Sequence, residues 1–325
     1  MTDAALLLRH AKFAEPDLTA TGERRARVSL SALQTLWINT GSLCNIACRN
    51  CYIESSPTND QLAYITRGEV AAYLDEIARD RLPVTEIGFT GGEPFMNPDM
   101  LGMLEDTLSR GLSALVLTNA MQPLLRPHIR DGLLALRDAY GDQLSLRISL
   151  DHYSKALHEK ERGARSFDKT LEGIDWLAAE GFSVSIAGRT CWGETEDAAR
   201  IGYAELIAAH GWPLDADDGA SLMLFPEMDE RADVPEITED CWGILGKSPG
   251  DVMCSTSRMV VKRRGADAPV VLPCTLLPYD PAFEMGTSLA EATHANGGMF
   301  DHGAVKLCHP HCSKFCVLGG GACTT

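Results

Sequence analysis

Three closely spaced cysteines limit what this chain can fold into more than any other feature. Cys44, Cys48 and Cys51 follow directly after an apolar run, Leu36–Thr40, that is typical of a β-strand. Three thiolates on one short loop can bind one metal centre, and iron–sulfur clusters prefer cysteine ligands. A four-iron cluster held by three cysteines keeps one iron open for a further ligand. Zinc is the alternative, but it takes four ligands, usually as two separated pairs, and no fourth ligand lies near this loop in the sequence.

The composition restricts the class of protein further. The chain has 325 residues, 45% of them hydrophobic, which suits one large α/β domain and a smaller one. A net charge of −16 argues against a nucleic-acid partner, because phosphates bind basic surfaces. We find no apolar run of about 18 residues and no export signal, so we expect no membrane partner and a cytoplasmic location. Eleven cysteines in that compartment indicate metal binding rather than disulfides.

Apolar, β-rich runs alternate with helical patterns through the first two thirds of the chain. The six runs are Leu36–Thr40, Glu86–Thr90, Ala114–Thr118, Leu146–Leu150, Ser183–Ala187 and Ser221–Phe225. Strands alternating with helices form right-handed βαβ units and a parallel sheet. Six units are two short of a full barrel, so the pattern predicts an α/β fold with an open, partial (β/α)6 barrel. Folds of this kind carry their chemistry on loops at the C-terminal strand ends.

Short capping patterns predict where several helices begin. Thr66 and Glu69 have the spacing of a capping box, in which each side chain bonds to the backbone of the other. Asn97 and the proline after it should cap the next helix, and Thr195 should cap a later one.

A second motif follows the second predicted strand. Gly91 and Gly92 can take unusual dihedral angles and bring the backbone close to a ligand. The carboxylate of Glu93, just before Pro94, can accept hydrogen bonds from an ammonium group. Together with the cysteine loop and Tyr52, the aromatic residue after the third cysteine, this motif resembles the signature of the radical S-adenosylmethionine (radical SAM) superfamily.

The resemblance implies a particular chemistry. The three cysteines would hold a [4Fe-4S] cluster whose open iron is chelated by the amino and carboxylate groups of S-adenosylmethionine. One electron from the cluster would cleave the sulfonium and yield a 5′-deoxyadenosyl radical, while the protein positions the cofactor and excludes water. The motif from Gly91 to Pro94 would bind the methionyl amino group.

Four further residues at strand ends are candidates for this site. By resemblance, Asn119 would line the cofactor site, with a loop-capping role as the alternative. Ser149 is a candidate for the ribose hydroxyls, or for a plain interior hydrogen bond. Arg189 could pair with the cofactor carboxylate, or form an ion pair within the barrel. Cys191 is the candidate catalytic residue, as a hydrogen-atom donor or substrate contact, and a buried structural thiol is its alternative.

The last 75 or so residues form a cysteine-rich region that the barrel pattern does not explain. A predicted β-hairpin lies between Cys254 and Cys274, and four more cysteines follow it: Cys308, Cys312, Cys316 and Cys323. This arrangement resembles the SPASM and twitch extensions of the superfamily, although the spacing of the last four cysteines departs from the usual pattern.

The resemblance of this region implies a second metal centre. We predict one auxiliary [4Fe-4S] cluster, bound by Cys254, Cys274 and two of the last four cysteines. A second auxiliary cluster and a structural zinc site stay open as alternatives. His309 and His311 lie among these cysteines and are further candidate ligands.

These observations predict four segments: an N-terminal arm (1–33), a radical SAM partial barrel (34–230), a linker (231–251) and an auxiliary-cluster domain (252–325). The predicted function is hydrogen-atom abstraction from a small molecule or a peptide, with the auxiliary cluster assisting oxidation or rearrangement. An electron donor such as flavodoxin or ferredoxin is the expected partner. The alternatives are a nucleotide cyclase of the kind used in molybdenum cofactor biosynthesis, and a non-catalytic electron-transfer or metal-binding protein.

Overall fold

The computed structural model describes residues 11–226 and 233–319. The strands in these ranges are β1 (Arg27–Val28), β2 (Thr35–Asn39), β3 (Glu86–Thr90), β4 (Ser113–Thr118), β5 (Leu144–Ser149), β6 (Ser183–Arg189), β7 (Leu222–Phe225), β8 (Ser257–Val261), β9 (Val270–Leu272), β10 (Phe300–Asp301) and β11 (Ala304–Lys306). The helices are α1 (Arg67–Asp80), α2 (Met100–Leu108), α3 (Pro127–Tyr140), α4 (Lys155–Arg162), α5 (Ser166–Ala179), α6 (Glu196–His210), α7 (Cys241–Leu245) and α8 (Leu289–Ala292). A π-helical segment covers Cys312–Leu318.

The chain divides into two compact units. The first, which we call the sheet unit, comprises Gln34–Glu227 and Met259–Val270. The second, the cysteine-rich unit, comprises Met1–Leu33, Met228–Arg258 and Val271–Thr325. No helix in the described part of the chain is long and apolar enough to cross a membrane.

The sheet unit is built on six parallel strands in the order β7-β6-β5-β4-β3-β2. The other neighbour of β2 is β8, so the sheet does not close on itself within the described residues. All six strands predicted from the sequence are confirmed, with ends that move by no more than two residues. The open, partial barrel is therefore confirmed as well.

Strands β2 and β3 are buried on both faces, as expected for a parallel sheet that helices cover. All five residues of β2 are buried, and the indole ring of Trp37 in this strand is fully enclosed. Gly88 in β3 makes room for that ring, because a Cβ at Gly88 would lie 2.4 Å from Trp37 Cε3. On the helical side, α1 buries Val70, Leu74 and Ile77, the residues that recur at helical spacing.

Two of the three predicted helix caps are confirmed. Thr66 and Glu69 form the capping box at α1, and Thr195 Oγ1 accepts a hydrogen bond from Ala198 N at α6. Asn97 Oδ1 accepts from Asp99 N at 2.9 Å in the turn before α2, although Asp99 itself occupies the N-cap position of that helix.

The amide of Asn97 has a second role. Its Nδ2 donates to Thr40 O at 3.0 Å and to Ile65 O at 2.9 Å. The amide nitrogen therefore serves two carbonyls while the amide oxygen accepts from Asp99 N, so one side chain does both.

The cysteine-rich unit contains a three-stranded antiparallel sheet in the order β1-β11-β10. The N-terminal segment is joined to the rest of this unit by a buried ion pair in which Arg25 Nη2 lies 2.6 Å from Glu236 Oε1. Glu236 also accepts hydrogen bonds from the backbone of Phe13 and Ala20, each at 2.7 Å. One carboxylate therefore fixes three points of the N-terminal segment.

A close contact between α5 and the turn after β4 yields a stability prediction. A Cβ at Gly173 would lie 1.8 Å from the backbone oxygen of Ala120, which has a positive φ of 54°. The variant Gly173→Ala must push the helix away from this turn, and overpacking of this kind costs about 1–3 kcal/mol. Urea denaturation should show this loss in the free energy of unfolding.

The matched control is Gly68→Ala in α1, where no atom lies within 4 Å of the added Cβ. This variant should gain up to about 1 kcal/mol, because alanine restricts the unfolded chain and glycine does not. Equal effects of the two substitutions would contradict the close contact at Gly173.

Candidate functional site

The cysteine loop after β2 is closed by its own hydrogen bonds. Asn39 Oδ1 accepts from Gly41 N at 2.9 Å, and Cys44 N donates to Ser56 O at 3.1 Å. Ser42 Oγ accepts from Leu62 N at 3.0 Å. Cys44 is buried, whereas the other two cysteines of the motif are half-buried. The loop therefore holds three thiols in a fixed conformation with one side partly accessible.

The three thiols lie close enough to influence each other electrostatically. Burial raises the pKa of Cys44 to about 12, and the charges of Glu93, Cys48 and Cys51 add to this rise. Burial also raises the pKa of Cys48 to about 11, while the nearby Arg162 guanidinium opposes the increase. Metal ligation replaces the thiol proton, so these thiols would become thiolates only when a metal centre binds.

The donor set fits a cluster better than a single ion. Within 11–226 and 233–319, no three His, Cys, Asp or Glu side chains form a group that could hold one metal ion. Ligands of a four-iron cluster need not converge on one point, because each thiolate binds a different iron.

The loop after β3 lies directly against the cysteine loop. Gly92 N donates to Gly41 O at 2.8 Å, and Glu93 N donates to Leu43 O at 3.1 Å. A Cβ at Gly92 would lie 2.1 Å from Leu43 O, and one at Gly91, whose φ is +137°, would lie 2.5 Å from Gly41 O. Both glycines are therefore required for the approach of the two loops.

Glu93 is buried at the centre of a set of hydrogen-bond donors. Its carboxylate accepts from Phe95 N at 3.2 Å, from Thr118 Oγ1 at 2.9 Å and from Asn119 N at 2.9 Å. Burial raises the pKa of Glu93 to about 7, against the lowering effect of these hydrogen bonds. It forms no salt bridge within the described residues. A buried carboxylate that has hydrogen-bond donors but no cation beside it suits a bound ammonium group.

Four further candidates lie at or near the same strand ends. Asn119 Nδ2 lies 2.9 Å from Asn45 Oδ1 and 3.9 Å from Cys44 Sγ, so its amide reaches the cysteine loop. Tyr52 Oη lies 3.4 Å from the hydroxyl of Thr90, the last residue of β3. Pro94 is buried at the start of a short 3-10 turn. Ser149 is the half-buried last residue of β5.

Arg189, the candidate for the cofactor carboxylate, pairs with a carboxylate of the protein. Its Nη1 lies 3.1 Å from Glu161 Oε1. Glu161 in turn accepts from Asn50 N at 2.7 Å and from Asn50 Nδ2 at 3.0 Å. The backbone oxygen of Glu161 accepts from Arg49 N at 2.8 Å. Glu161 therefore holds the segment between the second and third cysteines of the loop.

Glu161 carries no signal in the sequence that marks it as part of this site. It lies in the run Glu159-Lys160-Glu161-Arg162, which has the composition of a solvated helix face. Nothing in the local pattern distinguishes it, since its partners come from other parts of the chain.

Cys191 is half-buried on the loop after β6. Close to it in the sequence, Glu194 accepts from Tyr153 Oη at 3.1 Å and lies 2.7 Å from His152 Nε2. The ring of Trp192 packs edge-on against His152, with ring centroids 4.9 Å apart. These titratable groups, which the sequence could not rank, form one cluster at the strand ends.

The cysteine-rich unit brings several of its thiols together. Burial raises the pKa of Cys312 well above its usual value, and the charges of Cys274, Cys254 and Cys308 contribute. Burial also raises the pKa of Cys254 to about 11. Cys316 is buried in the same π-helical segment as Cys312. The prediction for Cys323 lies outside the described residues.

Cys308 and the two histidines have different surroundings. Cys308 Sγ donates to Phe13 O at 3.2 Å and to Glu15 O at 3.5 Å, a role that needs a thiol proton. His309 Nδ1 accepts from His311 N at 3.1 Å, and burial lowers the pKa of His309 to about 4. A neutral imidazole is the form that binds metal.

Comparison with known proteins agrees with this geometry. The model of the radical SAM superfamily matches residues 38–202, just over half of the 325-residue chain. The chain therefore belongs to the radical SAM superfamily. The matched range begins within β2 and contains the cysteine loop, the Gly-Gly-Glu loop and strands β3 to β6.

Two curated relatives are similar over the same part of the chain. The antilisterial bacteriocin subtilosin biosynthesis protein AlbA of Bacillus subtilis is 30% identical over 145 residues, which are 44% of this chain and 30% of AlbA. The mycofactocin maturase MftC of Mycobacterium tuberculosis is 29% identical over 140 residues, which are 43% of this chain and 33% of MftC. The matches span about a third of each relative's length.

The fold is similar to that of solved radical SAM structures. Streptococcus suis SuiB bound to S-adenosylmethionine superposes with a TM-score of 0.59 at 13% identity, covering 82% of this chain and 66% of SuiB. Membership in the radical SAM superfamily supports an enzyme with a [4Fe-4S] cluster and S-adenosylmethionine as cofactors.

The buried carboxylate yields a prediction about pH. The pKa of Glu93 rises from 4.5 to about 7 on folding, so the folded protein retains a proton that the unfolded chain releases. Stability is therefore lost as the pH rises from about 4.5 through 7, by about 3 kcal/mol in total. In Glu93→Gln, which cannot titrate, this loss should disappear.

The measurement is chemical denaturation of the cofactor-free protein under reducing conditions at about pH 4 and about pH 8. The control is Glu172→Gln on the exposed face of α5, which should leave the pH dependence of the wild type unchanged. A pH dependence in Glu93→Gln equal to that of the wild type would show that Glu93 does not contribute to it.

Proposed function

We propose that this protein is a peptide-modifying radical SAM enzyme that uses a second, auxiliary iron–sulfur cluster. The observation that carries the proposal is the direct contact between the cysteine loop and the Gly-Gly-Glu loop. Their backbones are joined by hydrogen bonds at Gly92 and Glu93. The contact supports the proposal because Glu93 would bind an ammonium group beside three thiols, an arrangement that an electron carrier without a bound amino acid cofactor does not need.

Each group in the site has a role in this proposal. Cys44, Cys48 and Cys51 would hold the cluster, and Glu93 would accept the methionyl ammonium group of S-adenosylmethionine. When bound, the cluster and S-adenosylmethionine supply the electron and the 5′-deoxyadenosyl radical that abstracts a hydrogen atom from substrate. Asn119, which reaches the cysteine loop, would orient the cofactor side of the site.

The surrounding ion pairs keep the loop in place during this reaction. Arg162 forms two hydrogen bonds with Asp151, at 2.6 and 3.0 Å, and its charge lies near Cys48. Glu161 holds the backbone of Arg49 and Asn50 from the same helix. Helix α4 therefore fixes both the position of the cysteine loop and the positive charge next to it.

For the auxiliary cluster we propose Cys254, Cys274, Cys312 and Cys316 as ligands. The first three influence each other electrostatically, and all four are buried. Cys308 is not included, because its sulfur faces two backbone oxygens, which suit a thiol and repel a thiolate. An oxidising or rearranging reaction would use this cluster to accept an electron from the substrate.

The proposed substrate class and electron donor rest on indirect support. The names of AlbA and MftC describe bacteriocin biosynthesis and mycofactocin maturation, and this supports a peptide rather than a free small molecule. A flavodoxin or ferredoxin would supply the electron. The net charge of −16 disfavours the nucleotide cyclase alternative, whose substrate carries several negative charges.

The first test of this function is product analysis. After anaerobic reconstitution, the wild type with dithionite and S-adenosylmethionine should form 5′-deoxyadenosine, whereas Cys44→Ala should form none because the cluster loses a ligand. Cys241→Ala, which alters a thiol of the cysteine-rich unit outside both proposed ligand sets, should retain the activity.

The substrate class is tested in the same assay. Addition of short peptides encoded next to the gene should yield a product that has lost two hydrogen atoms, detectable by mass spectrometry. Conversion of a nucleoside triphosphate instead would support the cyclase. Undiminished 5′-deoxyadenosine formation by Cys44→Ala would overturn the proposal.

The ligand set of the auxiliary cluster yields a separate prediction. In a background in which all three cysteines of the first loop are alanine, Cys312→Ser should lose the remaining iron, because serine replaces a thiolate ligand. Cys308→Ser should retain it, since its hydroxyl can donate to the same backbone oxygens. Iron and sulfide analysis measures both, and equal iron loss would contradict the assignment.

A further inference from the structure

The cysteine-rich unit contains a buried arginine that lacks a carboxylate partner. Arg258 is 1% exposed. Its Nη1 donates to Cys254 O at 2.6 Å and to Ser257 O at 2.7 Å, and Nη2 donates to Gly303 O at 3.5 Å. Its Nε has no hydrogen-bond partner among the residues that the structure describes. All these acceptors are neutral, so they leave the positive charge of the guanidinium uncompensated.

A second arginine in the same unit shows how such a charge is normally balanced. Arg25 is equally buried, at 1% exposure, and it lies 2.6 Å from the carboxylate of Glu236. Buried charges are rarely tolerated unless they are paired. Arg258 makes no salt bridge within the described residues, so its counter-charge must come from another source.

Two cysteines are the acidic groups that interact with Arg258 in the described part of the chain. The guanidinium bonds to the backbone oxygen of Cys254, and the sulfurs of Cys254 and Cys274 act on it electrostatically. As thiols these groups are neutral. Only as metal-bound thiolates would they carry a negative charge that faces this guanidinium.

We propose that Arg258 is the counter-charge of the auxiliary iron–sulfur cluster and sets its reduction potential. This inference rests on the proposed function, because it requires a cluster on Cys254 and Cys274. A cluster bound by four thiolates is an anion, and a buried cation next to it stabilises the more negative, reduced form. The reduction potential of such clusters depends on net charge and hydrogen bonding around the sulfurs. Arg258 would therefore make the auxiliary cluster a better electron acceptor.

The test uses protein in which Cys44, Cys48 and Cys51 are all alanine, so that only the auxiliary cluster remains. Redox titration followed by electron paramagnetic resonance compares this parent with Arg258→Met and Arg258→Lys. In Arg258→Met the reduction equilibrium should shift at least tenfold toward the oxidised form, a lowering of about 59 mV for one electron. Arg258→Lys keeps the charge and should stay closer to the parent.

The control is Arg24→Met in the same unit, where the side chain is 68% exposed and the potential should not change. If Arg258→Met loses its iron while Arg258→Lys retains it, the charge is needed for assembly, and the proposal is supported. An unchanged potential in an iron-loaded Arg258→Met overturns it, as does equal loss of iron from both variants, which would indicate a packing role.

The outcomes also separate this proposal from the function on which it depends. A parent that binds no iron, or binds zinc, would remove the auxiliary cluster and with it both claims. A parent with about four irons and a potential insensitive to Arg258 would leave the cluster in place and refute only the role of the arginine.

Discussion

The candidate site depends on the close contact between the loops that follow β2 and β3. The parallel register of these strands pairs Asn39 with Thr90, so both loops start from the same level of the sheet. Two backbone hydrogen bonds then join them, and the space between is too small for a side chain at Gly91 or Gly92. A change in strand register would separate Glu93 from the cysteines, so the two loops could no longer form one site.

Several charged side chains are buried around this contact, although burial of a charge usually destabilises a fold. Glu93 is buried among neutral donors, and two ion pairs, Arg162 with Asp151 and Arg189 with Glu161, lie in the same region. Buried ion pairs contribute little net stability, because desolvation offsets their attraction. A role in positioning a charged cofactor would explain why these charged groups lie together at the strand ends. Buried charged groups of this kind are typical of functional sites.

The sequence predicts those features whose cause is local. The six strands, the capping box at Thr66 and the two motifs follow from residue spacing, because each depends on neighbours in the chain. For Asn97, the sequence indicates the local bond from Asp99 N, but not the two distant carbonyls that its Nδ2 also binds. Glu161 and Arg258 could not be recognised for the same reason. Their partners, or the absence of them, are set by tertiary packing, and both residues look like ordinary surface charges in the sequence.

Each of the two cysteine sets has an arginine nearby, but only one of these arginines is paired with a carboxylate. This difference agrees with the number of thiolates proposed for each cluster. Near the first set, Arg162 is already paired with Asp151, so only part of its charge acts on the thiols. In the cysteine-rich unit, Arg258 has no carboxylate partner among the described residues and acts on Cys254 and Cys274 alone. A cluster with three thiolates has one negative charge fewer than a cluster with four. The site that would carry the larger negative charge is therefore the one provided with an unshared cation.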